Sequence, residues 1–256
     1  MVTYLITGAN RGIGLEFCRQ LKQRGNHVIA VCREVSQELL ELDVSIETGI
    51  DLTSDTDIKG LLKKLNGQKI DVLINNAAIL ERVTLDDLDI NSIRQQFEVN
   101  AIAPLRLTKT LLRNLTTGSK IILMTSRMGS IEDIAIDRLV RTHKLYFKAT
   151  GNRQQATEKC PNSLGDCYNT SGGSYGYRMS KVALCMAGKS LSVDLKPKNI
   201  AVAILHPGLV KTRMTNFTPN GITPEKSVQG LIARIDQLNL ENTGTFWHSN
   251  GEILPW

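Results

Sequence analysis

No apolar stretch of this sequence approaches the roughly 20 residues that a helix needs to cross a bilayer, so no spanning helix is expected. The opening Met-Val-Thr-Tyr-Leu-Ile-Thr-Gly has neither the basic flank nor the small-residue cleavage site of a secretory leader. It reads as a first β-strand, and the cytoplasm is the expected location. Cysteine is scarce. The five present are odd in number, and the one close pair, Cys160 and Cys167, has a spacing unusual for zinc, so free thiols and no metal site are expected. A concentrated tract of one charge is also missing: 31 basic residues against 25 acidic ones are dispersed along the chain and leave a net charge of +6. That balance suits a bound phosphate and gives no reason to expect a nucleic acid or a membrane as partner. No internal repeat is visible. With 256 residues, 41% of them hydrophobic, the chain has the size of one α/β domain, residues 1–256, with a sizeable core.

What is present is an alternation. Short apolar runs at Val2 to Ile6, His27 to Cys32, Val44 to Ile50, Ile70 to Ile74, Lys120 to Thr125, Ile200 to Leu205 and Thr243 to His248 read as buried strands. Helical spacing fills most of the intervals, at Gly12 to Arg24, Asp55 to Leu65, Ile93 to Leu115 and Tyr177 to Leu195. Strands that alternate with helices predict a doubly wound (Rossmann) α/β fold with a mostly parallel, seven-stranded sheet.

The turn T-G-A-N-R-G-I-G, residues 7–14, lies between the first strand and the first helix. Gly8 suits the tight turn, Gly12 the close approach of backbone to a pyrophosphate, and Gly14 close packing of the helix. Gly8, Asn10, Arg11, Gly12, Ile13 and Gly14 are therefore candidate dinucleotide contacts. At the end of the second strand, where NAD-binding proteins commonly place an acid for the ribose, the chain reads V-C-R-E and puts Arg33. Arg11 and Arg33 together suit a 2′-phosphate, because guanidinium offers fixed bidentate donors, and this favours NADP(H) over NAD(H). Glu34, one residue on, is an alternative ribose ligand. Further along, Y-G-Y-R-M-S-K sets Tyr177 and Lys181 four apart, on one face if the segment is helical. A positive neighbour favours phenolate and would pull the tyrosine pKa down toward neutrality.

T-G-x-x-x-G-I-G, N-N-A-A at 75–78, V-N-A-I-A-P at 99–104, T-S-R-M-G-S at 125–130, Y-R-M-S-K at 177–181 and H-P-G at 206–208 stand in one order. In that order they resemble the short-chain dehydrogenases/reductases, and the N-R-G-I-G-L-E turn and the ending look most like the C-factor and small carbonyl reductase subgroup. The resemblance implies that Tyr177 is the general acid, with Lys181 lowering its pKa and meeting the nicotinamide ribose. It implies that Ser126 holds the substrate oxygen and that Asn100 holds a water in a proton relay to Lys181. Asp51 and Leu52 would sit at the adenine, Asn75 and Ala77 at the adenine ribose, and Pro207, Gly208, Val210 and Thr212 at the nicotinamide carboxamide and phosphates. Ala78 stands where the family usually has glycine.

The implied activity is NADPH-dependent reduction of an aldehyde or ketone. Oxidation of a small-molecule alcohol by the same site, and a non-catalytic NADP-binding signalling or scaffold role, are the alternatives. Residues 213–224, with Met214 and Phe217, are expected to cover the substrate pocket. A homodimer or homotetramer is the expected assembly if the family's helix pairing is kept. One interval departs from the family: Ser126 and Tyr177 lie 51 positions apart (177 minus 126) instead of a dozen or so, which marks an insertion at about 134–168. Six basic residues against three acidic ones make it basic, and Ile136 to Phe147 has the spacing of an amphipathic helix. A lid, a partner-binding arm and a tolerated surface bulge are the three accounts of it.

Overall fold

The computed structural model describes residues 1–133 and 172–256. The expected insertion, with its amphipathic helix, therefore lies outside the described residues.

Seven strands form one sheet: β1 (Thr3–Thr7), β2 (His27–Val31), β3 (Ser45–Glu47), β4 (Ile70–Asn75), β5 (Leu115–Met124), β6 (Ala201–His206) and β7 (Thr245–His248). Their order is β3-β2-β1-β4-β5-β6-β7, and every neighbouring pair is parallel. The expected fold is the observed one. The helices are α1 (Gly12–Gln23), α2 (Gln37–Leu40), α3 (Asp55–Leu65), α4 (Ile90–Phe97), α5 (Ala103–Leu111), α6 (Tyr175–Leu195) and α7 (Pro224–Gln237).

Alternation along the strands feeds two cores. Tyr4 and Ile6 of β1 join Phe17 and Leu21 of α1 and Leu231 and Ile235 of α7 on one face. Leu5 between them joins Leu61 of α3, Leu107 and Leu111 of α5 and Leu184 of α6 on the other. Period-2 side chains thus become two apolar layers, each covered by helices, as a parallel sheet requires. No helix among the described residues is long and apolar enough to cross a membrane. Cys18, Cys32 and Cys185 are buried free thiols.

Two expectations about elements need correction. The helix expected over Ile93 to Leu115 is instead α4, a π-helical turn (Glu98–Ile102), α5 and a short 3₁₀ turn, after which Leu115 already belongs to β5. Proline is the physical reason for the break: Pro104 has no N–H to return to the carbonyl of Asn100, so the helix widens just before it. The third strand is shorter than Val44 to Ile50, although rungs beyond it, Gly49 N–H to Arg33 O at 3.0 Å and Ile50 N–H to Cys32 O at 3.2 Å, continue toward Asp51.

The strand order reverses between β1 and β4, and the carboxyl ends of such strands border the crevice where ligands of this architecture sit. The glycine turn, Asp51, Asn75, Ser126 and Pro207 all follow or end strands on that edge.

Candidate active site

The glycine turn is built as its sequence requires. Gly8 and Gly12 have φ of +65° and +55°, in the left-handed region. A Cβ on Gly14 would stand 2.2 Å from the Gly8 carbonyl oxygen, so only glycine lets α1 start against the turn. The start of α1 has no side-chain cap and no acid in its first turn, which leaves its N–H groups free of carboxylate competition for an anion. Asn76 fastens this turn to β4: its Nδ2 donates to Thr7 O (2.9 Å) and Gly8 O (3.3 Å), while the N–H groups of Asn76 and Ala77 donate to Thr7 Oγ1 at 3.0 and 3.1 Å. Asn75, the residue singled out from sequence, is buried with its Nδ2 3.5 Å from Thr108 Oγ1 of α5. Thr7 and Asn76 were missed, although the second Asn of N-N-A-A was the available signal.

Charge gathers at the β1–β3 end. Arg11 and Arg33 are exposed, and the Asp51 carboxyl is held below its usual range, chiefly by the Thr53 N–H and hydroxyl, each 2.8 Å from its Oδ1, with Arg33 contributing attraction. Asp51 is not the cap of α3; Ser54 is, accepting from the Asp57 N–H. Leu52 packs at the margin of the core beside it. Across the turn, Thr212 lies against Gly12, its Cγ2 3.5 Å from where a Gly12 Cβ would be. The segment bearing Thr212 is closed by a parallel bridge between Val210 and Ile222, and the Pro207 carbonyl accepts from Ser227 and Ser249 hydroxyls at 2.7 and 3.1 Å. Gly208 has φ +85°. Within that segment Met214 and Phe217 are exposed, with Asn216 and Phe217 both in the left-handed region.

The second half of the site is buried. Ser126 ends the extended backbone after β5 and its Oγ accepts from Met128 N–H at 3.2 Å, opening a 3₁₀ turn (Arg127–Gly129). That turn lies directly on α6, because a Cβ on Gly129 would meet the Lys181 carbonyl carbon at 2.8 Å. Ser126 and Tyr177, 51 positions apart in sequence, are brought together, the serine hydroxyl close enough to the phenol to lower its pKa. The Lys181 ammonium stands 5.5 Å from the Tyr177 ring centroid and donates to Met124 O at 2.9 Å. The expected shift of Tyr177 is reversed. Burial dominates and pushes its pKa up to about 12, against the lowering effect of the Ser126 hydrogen bond. Burial likewise brings Lys181 down to about 8. The phenol is neutral at pH 7, and the lysine is still largely charged.

Asn100 sits fully buried in the π turn. Its Oδ1 accepts from Ile79 N–H (2.9 Å), and its Nδ2 donates to Ile79 O (2.9 Å) and to Ser180 Oγ (3.0 Å). Its side-chain amide is thus committed to protein partners on both atoms. Ser180, which also donates to Tyr177 O at 2.8 Å, joins Asn100 to the tyrosine-bearing helix. It was missed, although it stands next to Lys181 in M-S-K. Arg127 pairs with Asp133 and Glu252 at 2.9 Å each, bracing the serine turn.

A family described as short chain dehydrogenase matches residues 2–136. The 1-hydroxy-2-glutathionyl-2-methyl-3-butene dehydrogenase of Rhodococcus sp. (strain AD45) is 35% identical over 261 aligned residues, covering 100% of both chains.

The chain belongs to the short-chain dehydrogenase family.

Within this family it is also 35% identical to the C-signal protein of Myxococcus xanthus, over 73% of this chain and 93% of that one. Among solved structures, the carbonyl reductase from chicken fatty liver, bound to NADPH, superposes with a TM-score of 0.78 at 28% identity, covering 99% of this chain and 98% of the other. The short-chain dehydrogenase fold is that of nicotinamide-dependent oxidoreductases, and the residues facing the crevice here fit such a group: a glycine turn, an uncapped helix start and two exposed arginines.

Proposed function

We propose that this protein reduces an aldehyde or ketone with NADPH. The observation that carries the reading is the Ser126–Tyr177–Lys181 group, gathered and buried on the same strand edge as the glycine turn. Gly8, Asn10, Arg11, Gly12, Ile13 and Gly14 would cradle the pyrophosphate, Arg11 and Arg33 a 2′-phosphate, Asp51, Leu52, Asn75 and Ala77 the adenosine, and Pro207, Gly208, Val210 and Thr212 the nicotinamide end. The NADPH of the chicken carbonyl reductase supports that choice of cofactor. When bound, the dihydronicotinamide supplies the hydride.

The protein's own residues do the rest. Ser126 and Tyr177 donate to the carbonyl oxygen and polarise it, and the proton of the Tyr177 hydroxyl passes to that oxygen as negative charge builds. A phenol pushed up to about 12 is fully protonated at neutral pH, the form that reduction needs. Lys181 stabilises the phenolate left behind and is the proton's next source. Asn100 reaches this relay through its backbone: its carbonyl lacks an α-helical partner at Pro104 and is the acceptor offered to a water. Met214 and Phe217 favour an apolar carbonyl compound. Exposed Ile102 at the end of the π turn, Leu105 on α5 and Met179 and Met186 on α6 offer a surface for pairing two copies.

Oxidation of an alcohol is the second reading, supported by the dehydrogenase from Rhodococcus, since the same atoms run backwards. Likeness to C-signal supports a signalling role. Following NADPH absorbance with a panel of aldehydes and ketones, and NADP⁺ with the matching alcohols, tests these. The Y177F variant is expected to lose roughly 10²- to 10⁴-fold in turnover while binding NADPH as before. Turnover retained in Y177F would overturn the assignment.

A further inference from the structure

The turn from Asp51 to Ser54 follows β3 at the carboxyl edge of the sheet, on the side of the strand reversal where the adenylate half of a dinucleotide lies. Inside the turn, Asp51 Oδ1 accepts from Thr53 N–H and hydroxyl, Asp51 N–H donates to Asp57 Oδ2 at 3.0 Å, and Ser54 N–H donates to Asp51 O at 3.0 Å. These bonds shape the turn locally but do not fix it to the rest of the fold.

Beside the packing of Leu52 on the core, one side chain from another element does so through hydrogen bonds. Arg106, in α5, donates through Nη1 to the carbonyls of Leu52 (3.4 Å) and Thr53 (3.2 Å). Its Nε meets Asp55 Oδ1 at 3.0 Å and its Nη2 meets Glu98 Oε1 at 2.7 Å. Glu98 opens the π turn that contains Asn100. A single exposed ion pair contributes little, but this guanidinium, mostly shielded from solvent, joins oxygens of three segments at once. Lysine, a point charge without the planar fork, has no equivalent set of bonds.

We propose that Arg106 is a positioning residue for the adenylate half of the cofactor: it holds the Asp51–Ser54 turn at the height set by α5, so that Asp51 and Leu52 meet the adenosine without first being ordered. The proposal rests on the dinucleotide reading above. It predicts an effect on NADPH that is absent from a cofactor without adenylate.

The test compares kcat/KM for NADPH with kcat/KM for reduced nicotinamide mononucleotide in the wild type, R106A and R106K, together with the affinity for adenosine 2′,5′-bisphosphate and the melting temperature of each. In R106A the NADPH-to-mononucleotide ratio is expected to fall about tenfold, with affinity for the bisphosphate weakened by a like factor, and R106K is expected to lie between. An unchanged ratio, or a loss equal for both cofactors, overturns the proposal, because a merely structural arginine lowers both alike. Failure of the wild type to bind NADPH and the bisphosphate would instead overturn the cofactor reading, and this inference with it.

Discussion

The two ends of the crevice are made in opposite ways. At the β1–β3 end the groups facing it are exposed and mostly local: a glycine turn, Arg11, Arg33 and a carboxylate held by its own neighbours. At the β4–β6 end they are buried and remote: Asn100, Ser126, Tyr177 and Lys181 come from three separate segments and meet beneath the surface. Exposed guanidinium groups attract a phosphate yet leave it screened by solvent and salt. Burial does the reverse, fixing each donor and moving pKa values by units. On the function proposed above, affinity belongs to the wet end and proton transfer to the dry one.

The largest effect that would sharpen this contrast concerns Lys181. Its pKa in the folded protein is brought from 10.5 to about 8, so between those values the unfolded chain carries the extra proton and stability rises with pH. Below about 8 both states are charged and the contribution is flat. Denaturant titrations should show the wild type gaining about 2 kcal/mol on K181M between about pH 8 and about pH 9.5. Parallel pH curves for the two proteins would mean that the lysine is solvated and that the dry end is not dry. Next comes Arg33, at the wet end. In R33A the preference for NADPH over NADH, measured as a ratio of kcat/KM, should fall about tenfold, or about 1.4 kcal/mol, with the gap shrinking as salt is added. No change in preference would transfer the 2′-phosphate to other groups. Smallest is Ser180, where S180A should lower unfolding stability by about 1 kcal/mol in urea, since a buried bond from Asn100 and another to the Tyr177 carbonyl are lost. A neutral substitution would show that Asn100 holds its place through Ile79 alone.

The same contrast explains what could be read in advance. The sheet and its order of elements were legible because buried parallel strands are continuous apolar runs and their helices keep a regular period. At the wet end the tight turn at Gly8 and Gly12 was legible because it is made within a few residues of itself. At the dry end residue types were legible but environments were not. The spacing of Tyr177 and Lys181 announces a neighbouring charge, yet says nothing of the desolvation that reverses the tyrosine's shift. Asn100 was read as part of a continuous helix because periodicity does not register one extra residue per turn, and only Pro104 hinted at the break. Asn76 bonds to Thr7, Ser180 to Asn100 and Arg106 to Leu52, at 69, 80 and 54 positions along the chain, separations that no local pattern reports.

The end of the serine turn at Asp133 and the start of α6 at Tyr175 are both pinned. Asp133 is paired with Arg127 and its N–H donates to Ser130 Oγ at 3.1 Å, while Tyr175 N–H donates to Val83 O at 3.4 Å and Arg178 reaches Gly173 O at 3.2 Å. With both posts anchored to the scaffold, a chain joined between them starts and ends at fixed points. The entropy of closing a loop grows only with the logarithm of its length, so lengthening the connection between these two posts costs little in closure entropy.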